Sequence, residues 1–352
     1  MAKTELKGKA QTVLGTVDPD SLGLTLMHEH LLTDLSVFFQ EPEEATIREM
    51  AHQPLTLENL HWVRYNFFTN VDNLRFTDEN LMTREARRFK IAGGQTIVEM
   101  SNNGLFRDPE GLARISRKTG LHVIMGSGFY IGEAQKNETL SMSEEEIAEN
   151  IINDITVGVG TTRIKAGIIG EIGCNVPIDD FEVKSLRGAA IAQQETGAML
   201  NIHPSHKDNL VLENVRIVKE ARADLSRVVI SHVDGWMFST DIIQNLLDQG
   251  CCVEYDHFGF EGYYPLYHGY HLNTPTDEDK IKDIMQFIAK GYIEQILAAS
   301  DHCMKHLLAS YGGGGYDHII RNAIPLMKLN GMTDEQIETL LIKNPKRLLT
   351  FV

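Results

Sequence analysis

Eight short apolar runs recur along this 352-residue chain, at residues 24–31, 96–101, 122–129, 166–173, 199–204, 227–234, 251–259 and 295–301. Most are rich in Val, Ile or Leu and carry few internal charges. Runs of that kind read as parallel strands covered on both faces, because crossover helices shield both sides of such a sheet. The stretches between them carry helix signals. Asp108-Pro109 sets a capping residue before a first-turn proline, and Gly120 follows the last turn. Ser143 with Glu146, and Thr333 with Gln336, each spell a capping box ahead of apolar residues at helical spacing. Strand–helix alternation repeated eight times predicts a parallel (β/α)₈ barrel, with a doubly wound open sheet as the alternative. The length suits one such domain over 1–352.

Two segments exceed a bare barrel. Residues 32–80, after the first strand, form an insertion that holds Phe38, Phe39, Trp62, Tyr65, Phe67 and Phe68. It is expected either to cover substrate at the carboxyl face of the strands or to pack as a flap. Gly312 to Gly315, after the eighth strand, predict a mobile loop. They do not form a phosphate loop, because the lysine and hydroxyl of that motif are missing.

The carboxyl ends of barrel strands are where chemistry is built. Met27-His28-Glu29-His30 ends the first run. Strand alternation aims His28 and His30 into the barrel mouth and Glu29 away, so two imidazoles can converge on one cation. Glu171 closes the fourth run, His203 the fifth, His232 the sixth and Asp301 the eighth. Four histidines and two carboxylates on five strand ends predict a metal centre. Mixed imidazole and carboxylate donors suit zinc first, and also manganese, iron or cobalt.

A formal net charge of −16 argues against nucleic acid or an anionic membrane as partner. No apolar run is long enough to span a bilayer, and residues 1–12 lack the apolar core of an export signal. Cys174, Cys251, Cys252 and Cys303 make no zinc-type spacing and are expected to be small buried residues. A reducing cytoplasm fits that usage.

These motifs resemble the phosphotriesterase-like branch of the amidohydrolase superfamily over nearly the whole chain. The likeness rests on the segment from Gly23 to His30, on Gly93-Gly94-Gln95-Thr96-Ile97-Val98-Glu99, on Gly128-Phe129-Tyr130 and on Ala166-Gly167-Ile168-Ile169. It continues through His203, His232, Asp301 and Asn344-Pro345. It implies a distorted (β/α)₈ barrel of amidohydrolase type and a homodimer. Its centre would hold two divalent cations, one taking His28, His30 and Asp301, the other His203 and His232. It also implies water activated between the metals, with Asp301 receiving the proton and His257 relaying it. Asp234 lies one residue from the place of that relay's usual partner. Many relatives bridge the metals with a carboxylated lysine. Here Glu171 stands instead, and Lys165 is six residues, roughly 20 Å, away along a strand. Bicarbonate should therefore not be needed for metal assembly. The resemblance points to a lactone or carboxylic ester as substrate, with promiscuous phosphotriester cleavage. Primary phosphotriesterase activity, or an inactive binding protein of the same fold, are the alternatives. Tyr130 is a candidate to aim its phenol at the centre or at substrate, or else packs in the core. His302, Lys305 and His306 are candidates for contacting substrate, or else belong to a solvated loop.

Overall fold

The computed structural model describes residues 5–234, 238–267 and 270–352. Eight parallel strands form one sheet: β1 Thr25–Glu29, β2 Thr96–Glu99, β3 His122–Ser127, β4 Ile168–Gly173, β5 Leu200–His203, β6 Val228–Ile230, β7 Cys252–Tyr255 and β8 Ile296–Ala298. Each expected run contains one strand, in chain order around the sheet. The ladder runs without a break from β1 to β8, but β8 and β1 are not paired in it. The barrel is nearly closed, with a seam between its last and first strands.

Helices follow the strands on the outside, among them α1 Glu79–Ala92, α2 Pro109–Thr119, α3 Glu144–Thr156, α4 Asp180–Thr196, α5 Asp208–Glu220, α6 Thr240–Asp248 and α7 Asp277–Ala289. The expected caps form. Asp108 accepts the Gly111 N–H at 2.9 Å, and the Ser143–Glu146 and Thr333–Gln336 boxes are reciprocal. Each satisfies amides that a helix start leaves without intrahelical partners.

Alternate strand residues face two cores. Met27, Val98, Ile124, Ile168, Val229, Cys252 and Leu297 pack together inside the barrel. Leu26, Ile97, Val123, Ile169, Val228, Val253 and Ile296 pack outward with the helices. In two places the alternation is reset. The β1–β2 register shifts between Leu26 and Glu29, and the β4–β5 register shifts between Ile169 and Ile172. Such bulges insert one extra residue and re-aim the side chains beyond it. With Leu26 outward, unbroken alternation would turn His28 outward too, and with Ile169 outward it would do the same to Glu171. The bulges bring both inward. Gly170 lies at φ +128°, and a Cβ there would sit 2.5 Å from the Asn201 carbonyl oxygen. Only glycine fits that turn of β4. Glu171 thus lies within β4, two residues before its end, rather than closing it.

The 32–80 insertion is a flap that also supplies part of a cavity wall over the strand ends. Its base is a short antiparallel pairing, Thr33 with Phe76 and Asp34 with Arg75. Short helices at Ala45–Ala51 and Leu60–Val63 lie within it. The four-glycine segment differs from the mobile loop expected. Gly313 donates to the Leu308 carbonyl at 3.0 Å and Gly315 to the Leu307 carbonyl at 3.0 Å. A Cβ on Gly313 would meet the Leu307 carbonyl oxygen at 2.1 Å. These glycines serve close backbone packing rather than freedom of movement. No helix among the described residues is long and apolar enough to cross a membrane.

Candidate metal centre

The six residues expected to bind metal come together at the carboxyl end of the barrel, and all but Asp301 are buried. Donor atoms of His28, His30 and Asp301 lie within 4.8 Å of one another, and so do those of Glu171, His203 and His232. Glu171 stands between the two groups. Its Oε1 is 3.4 Å from His30 Nε2, and its Oε2 is 3.6 Å from His28 Nε2, 3.1 Å from His203 Nδ1 and 3.5 Å from His232 Nε2. Asp301 Oδ1 is 3.3 Å from His30 Nε2 and 3.8 Å from His28 Nε2.

Whether these residues fit a cation is decided by what their other atoms do. His28 Nδ1 is engaged by Ser231 Oγ at 3.1 Å and Glu254 Oε2 at 3.3 Å, while its buried Nε2 has no hydrogen-bond partner. Asp301 Oδ1 is likewise buried without one. Buried polar atoms are rarely left so, and unsatisfied donors aimed at one point mark a place for an ion. His30 Nδ1 is held by Ser101 Oγ at 2.9 Å, and His232 Nδ1 by Asp256 Oδ1 at 3.0 Å. A polar partner behind these three imidazoles is the arrangement that orients metal-ligating histidines. The donor set fits divalent cations.

Electrostatics agree. Burial pushes the Glu171 carboxyl up, but the imidazoles of His28, His203 and His232 outweigh it and hold the group well below the carboxylate range. Burial lowers His30, yet Asp301 and Glu171 raise it to about 10. The carboxylates therefore attract positive charge to this point, as protons or as a cation.

Backbone geometry is unusual at two of the six. His232 has φ +58° and Asp301 φ +42°. Non-glycine residues rarely adopt this region, and such conformations gather at functional sites. Both are pinned: the His232 amide donates to Asp256 Oδ2 at 3.0 Å, and the Asp301 amide to the His28 carbonyl at 3.1 Å.

The cavity above is lined by His30, Glu171, His203, His232, His257, Asp301 and Cys303 below, and by an apolar wall above. It encloses about 710 Å³ of empty space, part of it open to solvent. His257 lines it, with Nδ1 3.0 Å from Asp234 Oδ1 and Nε2 3.8 Å from Asp301 Oδ2. Asp234 reaches His257 despite the offset of one residue. Tyr130 lines the wall, its hydroxyl 3.5 Å from His203 Nε2. Cys303 lines the cavity and is half-buried, not a core residue as expected.

His302 and Lys305 do not line the cavity. His302 is fully buried beside Glu29, 3.6 Å away, because it follows Asp301 on the opposite side of the backbone. Lys305 Nζ pairs with Asp72 of the insertion at 2.6 Å, and His306 Nδ1 meets Asn73 Oδ1 at 3.1 Å. The eighth loop is thus neither solvated nor aimed at substrate through these residues; it is bolted to the flap. Of the wall, sequence reasoning had Phe38, Phe67 and Phe68 only as rings of an insertion that would cover substrate or pack as a flap; it missed Leu35, Phe260, Met304 and Leu307. It also missed Asp256, whose signal was present as a second acid beside His257 in an otherwise apolar strand.

The comparisons agree with this geometry. The profile of the Phosphotriesterase family matches residues 8–349. An N-acetyltaurine hydrolase of Dictyostelium discoideum is 38% identical over 370 aligned positions, covering 99% of this chain and 100% of that protein. A phosphotriesterase-related protein of Nematostella vectensis is 40% identical, covering 98% and 99%. The crystal structure of a resiniferatoxin-binding protein from Rhodobacter sphaeroides superposes with a TM-score of 0.93 at 33% identity, covering 97% of this chain and 95% of that one. A (β/α)₈ barrel with this constellation of donors, matched end to end, makes the chain a member of the phosphotriesterase family of metal-dependent hydrolases.

Proposed function

We propose that this chain hydrolyses a carboxylic acyl bond, in an amide, ester or lactone, at a centre of two divalent cations, zinc first. The observation that carries the reading is the placement of the imidazole–carboxylate floor directly under an aromatic wall. The wall of that cavity is apolar, so a substrate that carries an apolar group suits it. Bound there, divalent cations polarise a carbonyl and make water a nucleophile near neutral pH.

The chain's own residues divide the remaining work. His28, His30 and Asp301 would hold one cation and His203 with His232 the other, with Glu171 between them. Asp301 turns Oδ2 toward His257, so a proton received at Asp301 has an exit through His257, which Asp234 orients. Burial lowers His257, but Asp234 and Asp256 raise it to about 10. The apolar wall would seat the acyl or leaving group and shed water from it.

Relatives named N-acetyltaurine hydrolase at 38% identity favour the amide over the phosphotriester. That widens the ester and lactone expectation without displacing it. Similarity to a resiniferatoxin-binding protein favours a second reading, a small-molecule binder without turnover. Zinc-loaded protein assayed on N-acyl amides, carboxylic esters, lactones and an activated phosphotriester separates these. The expected result is fastest turnover on an acyl substrate with an apolar substituent. Phosphotriester turnover that exceeds all acyl turnover overturns the reading, and ligand binding with no turnover of any of them supports the binder.

A further inference from the structure

The seam between β8 and β1 falls in the middle of the metal centre: His28 and His30 lie on one side and Asp301 on the other. No ladder crosses it. What crosses is Glu29. Its side chain points away from the cavity and is fully buried. Oε1 accepts the Ser300 amide at 3.0 Å, and Oε2 accepts the His302 amide at 2.9 Å. Both peptide N–H groups flanking Asp301 are therefore fixed by one carboxyl group. The intervening Asp301 amide donates back to the His28 carbonyl at 3.1 Å. Three consecutive amides of the eighth loop thus end on two consecutive residues of β1.

This clamp holds Asp301 at φ +42°, a left-handed conformation that costs a non-glycine residue energy, although aspartate tolerates it better than most. We infer that Glu29 is a positioning residue for the metal centre: it replaces the missing β8–β1 ladder and sets the distance between Asp301 and the histidine pair. The inference rests on the metal-centre reading above, and it assigns to the middle residue of the His-Glu-His segment a task separate from its neighbours'.

A matched control exists in the same loop. Glu85 of α1 is also fully buried and also accepts two consecutive amides, Ala309 at 2.9 Å and Ser310 at 3.1 Å. It clamps backbone remote from Asp301. Zinc affinity would be measured by competition with a chromophoric chelator, and zinc content by mass spectrometry, for the wild-type chain, Glu29→Gln, Glu29→Asp and Glu85→Gln. Melting temperatures would be taken with zinc removed. The expected result for Glu29→Gln is a zinc affinity lower by roughly 10–100-fold, the range for partners behind a ligand. Glu85→Gln should lose comparable thermal stability and keep wild-type affinity. If Glu29→Gln does not fold, Glu29→Asp, which keeps both oxygens on a shorter stem, should weaken zinc in the same direction. Wild-type affinity in a folded Glu29 variant overturns the inference, and so does an equal loss in Glu85→Gln. A wild-type chain that takes up no zinc overturns the metal-centre reading as well, and is seen before any variant is compared.

Discussion

The floor and the wall of the cavity are built by different means. The floor draws on six strands whose ends are far apart in sequence, and four of its imidazoles are backed by a polar partner: Ser101 behind His30, Ser231 and Glu254 behind His28, Asp256 behind His232, Asp234 behind His257. The wall draws mainly on the flap and the eighth loop, and its contacts are apolar rings such as Phe67 with Phe68, 4.7 Å between centroids, and Phe38 with Tyr130 at 6.0 Å. Hydrogen bonds are directional and fix angles; apolar contacts fix shape and tolerate exchange. If the floor carries the proposed chemistry, the difference teaches that chemistry and selectivity are separable by substitution in this molecule.

That separation can be broken by experiment. The largest effect is expected at the floor: His28→Ala or Asp301→Ala should lose bound zinc and lower kcat/KM by more than ~100-fold, beyond what partners behind a ligand cost. Metal analysis and initial rates check both, and unchanged activity in either would remove the floor from the mechanism. Next come the backing groups. Asp256→Asn or Asp234→Asn should cost about 10–100-fold, the first in zinc affinity and the second in kcat with zinc retained. A loss of zinc in both would mean that His257 serves as a ligand, which its grouping with His232 and Asp301 permits. At the wall, Phe68→Ala should raise KM by roughly tenfold and leave kcat near wild type, since it removes contact that ground and transition states share. A fall in kcat instead would tie the wall to the chemistry.

The last effect falls on stability rather than on activity, and concerns how the wall is anchored. Burial, then the charges of Arg64 and His302, push His306 down to about 3. Its folded pKa lies below the unfolded one, so the unfolded chain binds the extra proton. The stability due to neutral His306 is fully present above about pH 6.5 and is lost as pH falls from there toward 3, with a slope of at most about 1.4 kcal/mol per pH unit. Urea midpoints between pH 7 and 4 should fall less steeply in His306→Gln than in the wild type. Parallel slopes would show that the flap does not depend on this group.

The floor was legible in the sequence because strand ends are local signals: an apolar run followed by His or Asp fixes where a side chain emerges. Even so, unbroken alternation from the outward Leu26 and Ile169 would have turned His28 and Glu171 out of the site. The one-residue bulges that correct this leave little mark beyond Gly170. The wall was not legible, because which of Phe38, Trp62, Tyr65, Phe67 and Phe68 face the cavity depends on long-range docking of the flap, through Lys305–Asp72 and His306–Asn73. Lys305 and His302 misled for a related reason. A charged residue near a strand end reads as facing substrate until its buried partner is known, and Asp72 and Glu29 are distant from them in sequence.

The paired base of the flap has a consequence for how such a chain can diversify. Thr33 lies opposite Phe76 and Asp34 opposite Arg75, so the two ends of a long excursion leave and re-enter the barrel at neighbouring points. Closing a loop on ends that already meet adds little entropy for each residue gained or lost. Loop-closure entropy therefore leaves room to lengthen or shorten the segment between its paired ends, so long as Asp72 and Asn73 keep their ties to Lys305 and His306.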